Sequence, residues 1–132
     1  MREGRDAFHL AIPVADLDEA QDFYVGGLGC KLARRYADRI TLDFFGDQLV
    51  CHLSERIEPE PALYPRHFGV TFREQVDWER LRHLAESRGL RFFAKPFRRF
   101  EGMVEEHHSF VLQDPANNLL EFKHYADPRM IY

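Results

Sequence analysis

The chain is expected to be an α+β protein built from two βαβββ modules with mixed strand pairing. Three observations point there. A strand-like run, a helical run and three more strand-like runs occur in that order twice, offset by about sixty residues. That period is too long for a solenoid unit and suits a duplicated module. Strand patterns outnumber helical ones. A proline-bearing stretch, "SERIEPEPALYP", separates the halves. A single domain over residues 1–132 is expected, with module one at 7–54, a linker at 55–65, module two at 66–126 and a tail at 127–132.

Module one opens with Phe8 to Val14, apolar and β-prone. Asp16 then offers an N-cap with Glu19 three residues on. Leu17, Ala20, Phe23 or Tyr24, and Leu28 recur at helical spacing until Gly26, Gly27 and Gly29 end the helix. Strands follow at Lys31–Tyr36, Ile40–Phe45 and Gln48–Leu53, with turns at Ala37–Arg39 and Gly46–Asp47. Module two opens with alternating Phe68, Val70 and Phe72. Asp77 is expected to cap a helix carrying Trp78, Leu81, Leu84 and Ala85, closed by Gly89. Strands follow at Arg91–Ala94, His108–Leu112 and Leu119–Tyr125, the last after the turn Asp114-Pro115-Ala116-Asn117.

Hydrophobic residues make up 45% of the chain and it holds twelve Phe, which excludes disorder. A net charge of −4 without a Lys/Arg block argues against nucleic acid and anionic membranes as partners. The opening "MREGRDAFHL" has no apolar signal-peptide core and no run approaches a membrane span, so a cytoplasmic protein is expected. Cys30 and Cys51 form no CxxC pair and are expected to be small buried hydrophobes.

Strand alternation sorts the polar residues. In the first strand Phe8, Leu10, Ile12 and Val14 share a face, leaving His9, Ala11 and Pro13 on the other. In the opening strand of module two, Phe68, Val70 and Phe72 leave His67, Gly69 and Thr71 opposite them. One His followed by small residues suits a cavity wall. In "NNLLEFKHY", Leu120 and Phe122 pack inward while Glu121 takes the other face, where a lone carboxylate needs a cation. His9 and His67 hold matching places in the repeat, which approximate symmetry is expected to bring close. With Glu121 they make a two-His-one-carboxylate set that suits Fe(II), and also Mn, Ni or Zn.

His52, in the last strand of module one as Glu121 is in the last of module two, is placed near the site by the same symmetry, as a ligand, a general acid/base or a supporting residue. Of His107 and His108, His107 is the one that alternation turns toward the cavity with Ser109, although an exposed pair near a loop is the favoured reading; Tyr125 and His124 are proton-donor candidates or simply face water near the end of the strand. "AKPFRRFEG" reads as a loop whose Lys95, Arg98 and Arg99 attract an anionic substrate or simply face water.

"FHLAIPVADLDEAQDFYVGGLGC" and "DPANNLLEFK" resemble the opening and closing segments of the vicinal-oxygen-chelate family, which includes glyoxalase I, extradiol dioxygenases and the fosfomycin- and bleomycin-resistance proteins. The resemblance runs from Phe8 to about Tyr125 and is nearest to small bacterial extradiol-dioxygenase-like proteins, through "DFFGDQLVCHL", "RHFGVTF" and "AKPFRRFEG". It implies modules whose sheets curl into a curved, partly open cavity, with metal ligands at His9, His67 and Glu121. It also implies a homodimer that pairs modules across subunits, while leaving open whether each cavity belongs to one chain or two. The usual Gly of the closing turn is Asn117 here, a residue that tolerates the left-handed conformation. The glyoxalase I branch carries Glu at a fourth ligand position, which His52 is taken to occupy here.

The expectation is a metal-dependent enzyme, foremost an iron(II) dioxygenase acting on a small molecule with two neighbouring oxygens, with His52, His107 or Tyr125 moving protons. The alternatives are a glyoxalase-type isomerase or lyase, and a metal-free drug-binding protein.

Overall fold

The computed structural model describes residues 1–132. Module one consists of β1 (His9–Val14), α1 (Leu17–Gln21), β2 (Lys31–Arg35), β3 (Arg39–Phe44) and β4 (Asp47–Leu53). Asp16 caps α1 by accepting the Glu19 amide at 2.9 Å. The helix then widens into a π-helical stretch, Asp22–Gly27, which the glycine-bearing sequence ends. Module two consists of β5 (Phe68–Phe72), α2 (Gln75–Ser87), β6 (Phe92–Arg99), β7 (His107–Gln113) and β8 (Leu119–Tyr125). A short 3₁₀ turn, Pro128–Ile131, follows in the expected tail.

Each module folds into its own four-stranded sheet, ordered β1-β4-β3-β2 and β5-β8-β7-β6. The first and last strands of a module pair in parallel and the others antiparallel, so both sheets are mixed. Thus β1, β2, β5 and β6 are edge strands.

Two local expectations are corrected. Glu74, not Asp77, occupies the N-cap of α2, and Asp77 lies in the first turn, where a carboxylate still favours the helix N-terminus. The segment Lys95–Arg99 is strand, not loop. It continues β6 because Phe97, Arg98 and Arg99 pair with Ser109, His108 and His107, while Lys95 and Pro96 fall in a register shift. Proline is tolerated there because the strand is an edge and bulged.

The core joins the helix-side faces of both sheets in one apolar cluster, from Ile12, Val14 and Tyr24 to Trp78, Phe110 and Phe122. Polar ties cross the same interface. The Tyr24 hydroxyl donates to Asp114 at 2.7 Å, and Arg88 donates to the carbonyls of Gly26 and Gly27. The Trp78 indole donates to the Phe122 carbonyl at 2.9 Å, fastening α2 to β8. Cys30 and Cys51 are buried and free, as expected, and burial pushes both thiols up to about 12.

Candidate functional site

The face of sheet two turned away from α2 carries the polar constellation. Directly paired residues share a face. The register sets Gly69 beside Glu121 and Val111, Thr71 beside Lys123 and Ser109, and His107 beside Tyr125 and Arg99. His107 is buried and lies on the Glu121 face with Ser109, as strand alternation indicated. Its ring centroid is 4.8 Å from that of Tyr125, and its Nδ1 bonds the Glu105 carbonyl at 3.0 Å.

Glu121 is only 7% exposed. The Ser109 hydroxyl donates to its Oε1 at 2.7 Å, and His67 Nε2 stands 2.9 Å from its Oε2. The other nitrogen of His67, Nδ1, lies 2.7 Å from the Leu63 carbonyl oxygen. A carbonyl only accepts, so Nδ1 carries a proton. The Nε2–carboxylate contact then calls for a proton shared between the two atoms or a cation held by both.

The two atoms fit a divalent ion. Adjacent ligands at bonds of about 2.1 Å and right angles stand roughly 3.0 Å apart, close to the observed 2.9 Å. The Leu63 contact is the kind of outer hydrogen bond that orients a ligating imidazole.

His9 stands elsewhere in the chain. It is exposed at the start of β1 in the other sheet, with Nδ1 2.6 Å from Gln48 Oε1. The expectation that the repeat brings His9 to His67 does not hold within one chain. The modules meet through their helix-side faces, and His9 is not gathered with His67 and Glu121 into one group. No group of three His, Cys, Asp or Glu side chains in the chain is placed to hold a metal.

His52 also departs from its expected place. Val50 pairs with Ala11 as Glu121 pairs with Gly69, so Val50 is the counterpart of Glu121. His52 lies one pleat further, opposite Pro13 and Arg39, and is exposed. It shares the His9 face but not the position of a fourth ligand.

Close approach of strands builds the pair. A Cβ on residue 69 would stand 1.7 Å from the Glu121 carbonyl oxygen, so only glycine admits β8 there. Beyond the strands, a cavity of about 650 Å³ lies between β1 and β5 beneath the linker, lined by Ile12, Pro13, Tyr64, His67, Asn118 and Leu119. Its volume suits a small molecule. Tyr64 was not anticipated. Its ring meets that of His67 edge-on at 5.8 Å, and its hydroxyl accepts from Arg99 at 3.0 Å. A Tyr in a proline-rich linker carries no periodicity that marks it.

The closing turn is held by Asp114. Its Oδ1 accepts the amides of Ala116 and Asn118, and its Oδ2 accepts the Asn118 amide group and the Tyr24 hydroxyl. Burial nonetheless raises the Asp114 pKa, against these hydrogen bonds. Asn117 takes the left-handed conformation, φ 65°, as its place in the turn requires.

Comparison with solved structures gives a protein described as a glyoxalase/bleomycin resistance protein/dioxygenase from Alicyclobacillus acidocaldarius, 64% identical over the whole of both chains with a TM-score of 0.96. A fosfomycin resistance protein, FosX, from Listeria monocytogenes matches with a TM-score of 0.74 at 14% identity, covering 98% of this chain and 99% of that one. A lactoylglutathione lyase from Agrobacterium tumefaciens matches with a TM-score of 0.69 at 16% identity, covering 90% and 92%. The last two show a shared fold alone. A search of curated proteins found no match. No helix is long and apolar enough to cross a membrane. The family comparison matches residues 7–122, and with the paired βαβββ sheets it establishes that this chain belongs to the Glyoxalase/Bleomycin resistance protein/Dioxygenase superfamily.

Proposed function

We propose that the protein is a metal-dependent enzyme, an iron(II) dioxygenase of extradiol-like type, acting on a small substrate with two neighbouring oxygens. The supporting observation is the His67 Nε2–Glu121 Oε2 contact at 2.9 Å, with the far nitrogen of His67 engaged by Leu63. Divalent-metal binding is typical of the superfamily. His67 and Glu121 supply two ligands, and His9 of a second copy supplies the third in a homodimer. When bound, the ion supplies Lewis-acid polarisation of the substrate oxygens. Ser109 holds Glu121 Oε1 and leaves Oε2 for the metal side. His52 shares the face of His9 and arrives with it, as an imidazole able to pass a proton. His107 and Tyr125, whose rings meet at a tilt on the Glu121 face, are further candidates to pass a proton. Two His and one carboxylate would hold the ion as a ligand set of the kind that suits iron(II) oxygenases. Val50, at the place matching Glu121, provides no fourth carboxylate, which weighs against a glyoxalase-type isomerase.

The test is anaerobic reconstitution with Fe(II), elemental analysis, and oxygen uptake with catechol-type substrates. The parent is expected to hold about one iron per chain, and His9→Ala, His67→Ala and Glu121→Ala each to lose it. A parent without stoichiometric metal, or turnover without oxygen consumption, overturns the reading.

A further inference from the structure

Two cations on the Glu121 face have no carboxylate partner. Arg99 is aligned through His107 with Tyr125, and Lys123 follows Glu121 on the same face of β8. Neither takes part in an ion pair, although eight other basic side chains, His67 among them, do. The contrast with Arg98 is direct. It alternates to the opposite face, donates to Glu101 at 2.9 Å and bonds His108 at 3.1 Å. Among the strand residues on the Glu121 face, Glu121 is the one acidic side chain. It already faces His67.

Arg99 instead donates to the hydroxyl of Tyr64, whose ring stands against His67. A phenol oxygen that accepts from a guanidinium keeps its own proton free to donate outward. Arg99 has further N–H groups beyond the one Tyr64 takes. The two side chains therefore present donors and one positive charge next to a candidate metal position, and no carboxylate stands within ion-pair distance of Arg99.

We propose that Arg99 and Tyr64, supported by Lys123, form an oxyanion subsite beside the His67–Glu121 pair, so that the substrate carries a carboxylate or phosphate group in addition to its neighbouring oxygens. This rests on the metal-site reading for its place in catalysis, but not for anion binding itself. Charge-assisted hydrogen bonds from a planar guanidinium fit either oxyanion, and steering by unpaired cations raises the encounter rate.

The test is calorimetric titration of the metal-stripped protein, in low-salt buffer, with inorganic phosphate and separately with malonate. One of the two is expected to bind at one site per chain, and the tighter of them identifies the oxyanion. Arg99→Met is expected to weaken that binding about tenfold or more, and Tyr64→Phe by a smaller factor, whereas Arg98→Met leaves it unchanged. Glu121→Gln, which removes the metal ligand, is expected to keep or strengthen anion binding, and Arg99→Met to keep the parent's metal content. Anion binding without metal loading would therefore sink the metal reading alone. If neither anion binds the parent, or Arg99→Met binds as the parent does, the subsite is refuted.

Discussion

Tyr24 and Asp114 show how a single buried contact is shared between stability and titration. Burial and the neighbouring Asp114 push the Tyr24 phenol well up, so it stays protonated and donates to the carboxylate. Tyr24→Phe removes that donor and is expected to cost about 1–3 kcal/mol in urea denaturation at neutral pH, the penalty of a buried acceptor losing a partner. The pH dependence has a definite sign. The folded-state pKa of Asp114 is raised above its unfolded value, so its contribution to stability is fully present below the unfolded pKa and is lost as pH rises through the folded one. Since the Tyr24 bond favours the charged carboxylate, the deficit of Tyr24→Phe should shrink on acidification through that window. A deficit that stays constant from neutral pH to pH 4 would contradict this account.

At the scale of elements, the approach of β5 to β8 sets the site. Gly69 pairs with Glu121, and a methyl group there collides with the Glu121 backbone rather than with a side chain able to move. Gly69→Ala must separate the strands, shifting Glu121 from His67. A loss of about 2 kcal/mol or more is expected, together with loss of metal binding. Ala11, the matching residue in module one, carries its methyl already, so Ala11→Gly serves as the control and should keep metal binding. Equal metal affinity in Gly69→Ala and the parent would show that the strand spacing does not control the site.

For the whole molecule, β1 and β5 are edge strands with unpaired backbone on one side; His9 opens β1, and His67 stands immediately before β5. Edges of this kind invite pairing with another chain. A twofold dimer that sets β1 of one copy beside β5 of the other joins the faces left apart in the single chain. Mixing His9→Ala and His67→Ala chains tests this. Neither variant alone should hold metal, while random re-pairing makes half the dimers mixed, each with one complete site of two, restoring roughly a quarter of the parent's metal. A site built within one chain recovers none.

The two modules, the order of their elements along the chain and the faces of their strands can be read from the amino-acid sequence. Each is a local consequence of alternation and turn chemistry: Phe68, Val70 and Phe72 can bury only one way, and that choice turns His67, Gly69 and Thr71 over together. It also misassigned what depends on register between strands. His52 and Val50 differ by one pleat, a distinction set by which backbone groups bond across β1 and β4. The strand character of Lys95–Arg99 was hidden by Pro96, whose tolerance depends on β6 lying at a bulged edge. That the modules join by their helix sides, separating His9 from its counterparts, that His67 meets Glu121 and that a linker tyrosine reaches Arg99 came from the folded structure alone. Those outcomes arise from long-range packing, which no periodicity along the chain encodes.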